Sequence, residues 1–100
     1  MEQFINKKCI VRCNNAGVFF GTVKEISKDA NGINVLMANV RKIWHWDGAC
    51  GVEQLAVSGC NDDSKLTIAV DEMEVMSAEQ IIPCTAGAIK NLEGQKEWRR

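Results

Sequence analysis

Within ten residues, from Val40 to Ala49, the chain gathers two of its three tryptophans, its only histidine and the basic pair Arg41-Lys42. Such side chains suit recognition of a planar anionic molecule. An indole face accepts a nucleobase at about 1–3 kcal/mol per base, and a guanidinium or ammonium group takes a phosphate. They suit catalysis less well. A cysteine nucleophile with His45 as its base requires the two side chains to meet, and Cys50 is near in sequence. There is, however, no companion histidine, no glycine-flanked nucleophile elbow and no glycine-rich phosphate loop, so the expectation is a protein without enzymatic activity.

If this segment is an extended strand, its period of two puts Trp44 and Trp46 on one face with Val40 and Lys42, and sends Arg41, Ile43 and His45 to the other. Two readings stay open. Leu36, Ala38, Val40, Trp44 and Trp46 share one parity and form an apolar face broken only by Lys42, as a core would require, with the tryptophans as large buried anchors. Arg41 and His45 then lie across the sheet, about 13 Å apart along the strand, and converge on an anion only through long side chains. Alternatively, the tryptophans line a binding surface, and a tryptophan in a pocket between protomers satisfies both readings. Arg12, on the preceding part of the sheet, is a third cation whose register the sequence does not fix. The candidate ligand-binding set is Arg12, Arg41, Trp44, His45 and Trp46.

The elements that must position these groups follow from local pattern. Residues 8–13 and 18–27 alternate as strands around an Asn14-Asn15-Ala16-Gly17 turn. Asp29-Ala30-Asn31-Gly32 closes a hairpin, Asn-Gly supplying positive φ at low cost. Residues 33–40 are apolar on both sides, as in a central strand. After Asp47-Gly48 the period changes: Val52, Leu55 and Ala56 fall at i, i+3 and i+4, with Gly59 as a stop, which predicts a helix of about two turns. Asn61-Asp62-Asp63-Ser64 is a polar turn. Leu66, Ile68 and Val70 alternate ahead of a β segment over residues 73–82, which Pro83 ends. Thr85 caps a final short helix with Ile89 and Leu92 inward and Gly94 as its end. The expected fold is a single α+β domain over residues 1–100, mainly antiparallel β-sheet: an N-terminal three-stranded meander, C-terminal strands and two short helices.

Composition removes several function classes. A formal net charge of −1 provides no domain-wide field to hold a phosphate backbone, which makes a general nucleic-acid binder a poor fit. No apolar run approaches the length of a membrane span, and the first residues lack the basic and apolar regions of a secretory signal, so the expected location is cytoplasmic. Five cysteines, Cys9, Cys13, Cys50, Cys60 and Cys84, show no Cys-x-x-Cys spacing and read as free buried thiols, not as disulfides or metal ligands. Asp62-Asp63 lacks the other oxygen ligands of a calcium loop. Glu72, Glu74 and Glu79 read as the wet side of a sheet. No metal or cofactor is expected. Trp98, near the end of the sequence, is either a plug that ties the tail to the body or a contact with another subunit.

One further pattern spans most of the chain, from Cys9 to Trp98: Arg41-Lys42-Ile43-Trp44-His45-Trp46-x-Gly48-Ala49, then Gln54-Leu55-Ala56, Val70-Asp71-Glu72, Ile82-Pro83-Cys84-Thr85 and Glu97-Trp98. It resembles a small domain family of unknown function encoded in tailed-phage and prophage genomes. The family pattern has tyrosine where this chain has His45, and small residues with serine over residues 49–51, which argues against catalysis by His45 or Cys50. The resemblance implies a phage protein acting in the host cytoplasm. The expectation is a non-enzymatic binding protein that antagonises host antiviral defence by sequestering a nucleotide-derived signal, as a homo-oligomer. The rival is a protein–protein interaction module, either an inhibitor of a host enzyme or an accessory of the virion, using the same tryptophans as anchors.

Overall fold

The structure, a computed structural model, describes residues 2–30 and 32–98. Asn31, half of the expected Asn-Gly turn, and the terminal Arg99 and Arg100 lie outside the described residues. The elements in order are β1 (Lys8–Cys13), β2 (Gly17–Asp29), β3 (Gly32–His45), α1 (Val52–Ser58), β4 (Lys65–Leu66), β5 (Val70–Pro83) and α2 (Ala86–Gly94). The fold is α+β and mainly antiparallel sheet, as the sequence predicts, although the sheet does not stay open. β1 pairs with β2, β2 with β3, β3 with β5, and β5 back with β1, all antiparallel, so four strands form a ring. β4 extends the sheet beside the far end of β3, opposite Ile43 and His45.

Long strands reach two neighbours by bending. β5 pairs with β3 from Val70 to Ala78 and with β1 from Ala78 onward, so Ala78 lies between Ile33 and Cys13. At the register shift just before it, Ser77 has φ 58°, and its N–H donates to Asn34 Oδ1 at 3.2 Å. Gly21 serves the crossing of β2 over β3, where an added Cβ would stand 3.0 Å from the Ala38 carbonyl oxygen and 3.2 Å from Val40 Cα. Only glycine permits that approach.

Two cores result, one on each side of the strands. The ring interior holds Cys9, Val11, Cys13, Phe19, Val23, Val35, Met37, Val40 and Val75. The alternate residues Ile10, Val18, Phe20 and Ile43 point outward, where Val52, Leu55 and Ala56 of α1, Leu66, and Leu92 of α2 cover them. The predicted helices form where expected. Gly59 ends α1 with φ 78°, and Thr85 caps α2 by accepting from the Ala88 N–H at 3.1 Å. The Thr85 hydroxyl also donates to the Val57 carbonyl at 2.7 Å, which locks the two helices together.

Two expectations are corrected. The continuous parity from Leu36 to Trp46 is broken at Asn39, which has φ 52° and shifts the register from Phe20 opposite Arg41 to Thr22 opposite Ala38. Odd residues Val35 and Met37 and even residue Val40 therefore fill the same interior. The expected alternation of Leu66, Ile68 and Val70 also fails. Strand β4 stops at Leu66, Ile68 is 55% exposed, and Val70 begins β5. Among the described residues no helix is long and apolar enough to cross a membrane.

Candidate functional site

The end of β3 lies between β2, with Lys42 opposite Phe19, and β4, with Ile43 opposite Leu66. Strand alternation sends Arg41 and Ile43 toward the helices, and Lys42 and Trp44 away from them. Trp44 is 59% exposed. Lys42 Nζ sits 5.1 Å from the Trp44 ring centroid, within reach of a cation–π attraction.

The partner of Trp44 comes from the other end of the chain. Beyond α2 the tail runs parallel to β4, with Glu97 bridged to Leu66 and the Trp98 N–H donating to the Leu66 carbonyl at 2.8 Å. This seats Trp98 with its ring centroid 5.9 Å from that of Trp44 and the planes tilted by 58°. Lys65 Nζ lies 5.1 Å from the Trp98 ring. Two indoles are thus flanked by two ammonium groups. Beside Trp98 opens a groove of about 440 Å³, bordered by Lys65, Lys96, Asp62, Asp63, Ser64 and Glu97. That volume lies within the range of small-molecule sites.

Of the candidate ligand-binding set Arg12, Arg41, Trp44, His45 and Trp46, only Trp44 belongs to this array. Trp46, past the end of β3, packs half-buried against the helix-side core. His45 is exposed at the β4 edge, opposite Lys65. Arg12 is exposed on β1, where Nη1 donates to Gln80 Oε1 at 3.3 Å. It is two strands away from Arg41, so those cations do not converge.

Arg41 is 7% exposed. Its Nε donates to the Thr67 carbonyl at 2.8 Å, Nη1 to Leu92 at 2.7 Å and Nη2 to Lys96 at 3.2 Å. Burial lowers its pKa, while the Glu97 carboxylate and Cys60 oppose that shift. The guanidinium therefore binds the chain's own carbonyls, at the last turn of α2 and at the tail carrying Trp98. It positions the array without being a contact in it. A cavity of about 230 Å³ opens beside it, edged by Thr22, Asn39 and the Lys8–Glu93 ion pair.

The thiols are free. Cys9, Cys13 and Cys60 are buried and Cys84 is half-buried, but Cys50 is exposed, against the expectation that it packs inside. Among the described residues no cluster of three or more histidine, cysteine or acidic side chains is placed to hold a metal ion. What sequence reasoning missed is the pairing of Trp98 with Trp44 and the part of Lys65. No local period signals a contact between segments so far apart.

A family model described as a domain of unknown function, DUF6948, matches residues 6–92. No curated protein and no solved structure matches the chain.

Proposed function

The chain belongs to this family, and we propose, from its own surface chemistry, that it is a non-enzymatic binding protein whose Trp44–Trp98 surface takes a nucleotide-type ligand. The observation that carries this reading is the order Lys42, Trp44, Trp98, Lys65 beside an open groove of about 440 Å³. A nucleotide presents a π-face and an anion in one small molecule, and this surface offers two indoles, each with an ammonium group 5.1 Å from its ring centroid. The three acidic side chains at the groove outnumber its two lysines, which favours a small ligand read by stacking over a long polyanion.

The biological setting proposed is that of a phage protein in the host cytoplasm antagonising a defence that depends on a nucleotide-derived signal. Sequestration requires only tight binding and enough protein. In a closed homo-oligomer each array is repeated, and a neighbouring subunit against the exposed face of Trp44 would enclose the ligand.

Native mass spectrometry of the protein purified from a host with nucleotide-signalling defences tests this, together with a Trp44→Ala variant. The expected result is a bound mass in the nucleotide range that disappears in the variant. Quenching of tryptophan fluorescence by nucleoside monophosphates, compared with bare nucleosides and inorganic phosphate, reports the two halves of the ligand separately. A clean protein mass with no quenching by any of the three probes overturns the reading.

A second reading has its own support. Ile68 and Val70, 55% and 40% exposed, follow Thr67, which is hydrogen-bonded to Lys42 beside Trp44. A tryptophan with neighbouring exposed aliphatic groups is how protein interfaces are anchored. Under this reading the partner is a host protein, and pull-down with wild-type chain against Trp44→Ala identifies it.

A further inference from the structure

The ring of strands is incomplete along one stretch. β5 pairs with β3 from Val70 onward, but its pairing with β1 begins only at Ala78, opposite Cys13. Among the described residues, therefore, β5 has a neighbouring strand on one side only over residues 70–75, and at Met76 the carbonyl already accepts from the Cys13 thiol at 3.0 Å. Beside this open edge lies a cleft of about 340 Å³ between β5 and the β1–β2 turn, floored by Phe19, Met73 and Val75.

The side chains on this edge are sorted by face. Met73 and Val75 turn toward the ring interior, whereas Val70, Glu72, Glu74 and Met76 turn outward and are exposed. Met76 is 62% exposed. The acidic character extends across the sheet, since Glu74 lies opposite Leu36, which lies opposite Glu25 on β2. Residues 70–77 contain no lysine or arginine.

We propose that this edge accepts an extended basic strand of a partner protein by β-augmentation. An open edge supplies main-chain hydrogen bonds, and alternating side chains supply specificity. A strand in which lysine or arginine alternates with aliphatic residues fits both faces at once. Its cations face Glu72 and Glu74, and its aliphatic groups enter the cleft over Met73 and Val75. A second copy using the same edge fits poorly. Antiparallel self-pairing centred on Met73 sets Glu72 of each copy directly opposite Glu74 of the other, a like-charge cross-strand pair. The proposal is independent of the tryptophan surface.

The test is fluorescence anisotropy of a labelled decapeptide of alternating lysine and valine, titrated with the full chain, with light scattering on the chain alone. Saturable binding is expected. It should weaken about tenfold in the Glu72→Lys/Glu74→Lys variant and by a smaller factor in Glu72→Gln/Glu74→Gln, whose charges are neutral and whose folding is checked by thermal melt. Trp44→Ala should bind unchanged. The same peptide with its central valine replaced by proline should lose binding, because proline cannot complete a ladder. Equal binding of the proline peptide, or no saturable binding, overturns the proposal. So does self-association that the Glu72→Lys/Glu74→Lys variant dissolves, which would assign the edge to a second copy.

Discussion

Arg41 Nη1 donates a 2.7 Å hydrogen bond to the Leu92 carbonyl, so one strand side chain holds the last turn of α2 against β3. The same guanidinium holds Thr67 and Lys96. Replacing it with methionine keeps the bulk but strands three carbonyls. The expected loss is about 3 kcal/mol, read as a lowered midpoint in urea. Arg41→Lys should recover little, because an ammonium group lacks the planar fork that reaches three acceptors. Wild-type stability in Arg41→Met would show that these bonds are dispensable.

Gly59 and Asn91 form a second latch. Asn91 Nδ2 donates to the Cys60 carbonyl at 2.9 Å, and Asn91 Oδ1 accepts from the Cys60 N–H at 2.8 Å. A Cβ on Gly59 would lie 2.2 Å from that oxygen, on a backbone with φ 78°. Gly59→Ala should therefore both strain the left-handed residue and displace Asn91. A loss of roughly 1–3 kcal/mol is expected for the strained backbone alone. The double variant Gly59→Ala/Asn91→Ala separates the two effects: it should lose less than the sum of the single variants, since the displaced side chain is already gone.

The helices were legible in the sequence because each carries a local signal: a period of 3.6 at Val52, Leu55 and Ala56, and a capping hydroxyl at Thr85. The strands were legible as strands. Their closure into a ring was not, because it depends on Ser77 and Asn39 adopting positive φ inside extended runs, where serine gives no such signal and an asparagine, though tolerant of positive φ, has no turn partner beside it. One bulge at Asn39 then reassigned the faces of β3. The site was half legible. Trp44 and Lys42 are where alternation puts them, but an arginine beside a tryptophan looks the same in sequence whether it meets a phosphate or, as Arg41 does, three backbone carbonyls.

Burial sets the chemistry of the thiols and gives them a pH signature. It pushes Cys9 up to about 11 and Cys84 up to about 12, from an ordinary value of 9.0. In the unfolded chain these thiols ionise first as pH rises, so the native state then holds more protons than the unfolded one. Their contribution to stability is complete below about pH 9 and is lost as pH rises toward 11–12. Denaturant midpoints should fall across that window, and less steeply in a Cys84→Ala variant measured against its own value at neutral pH. At pH 8, Cys50, which is exposed, should react with a thiol reagent before the other four. A native chain with several thiols equally fast would contradict this.

The tilted contact of Trp44 with Trp98 makes the surface self-reporting. Two indoles with centroids 5.9 Å apart couple their electronic transitions, so a far-ultraviolet exciton signal in circular dichroism is expected and should vanish in either Trp44→Ala or Trp98→Ala. Trp44→Ala should cost only about 1 kcal/mol, since the side chain is exposed and gives up chiefly its aromatic pairing. Trp98→Ala should cost more, because the Trp98 side chain is more buried than that of Trp44. Arg41→Met should weaken the signal with both tryptophans still present, because the Lys96 carbonyl it holds lies two residues before Trp98. An exciton signal unchanged in Arg41→Met would mean that the bridge to Leu66, and not Arg41, fixes the orientation of the pair.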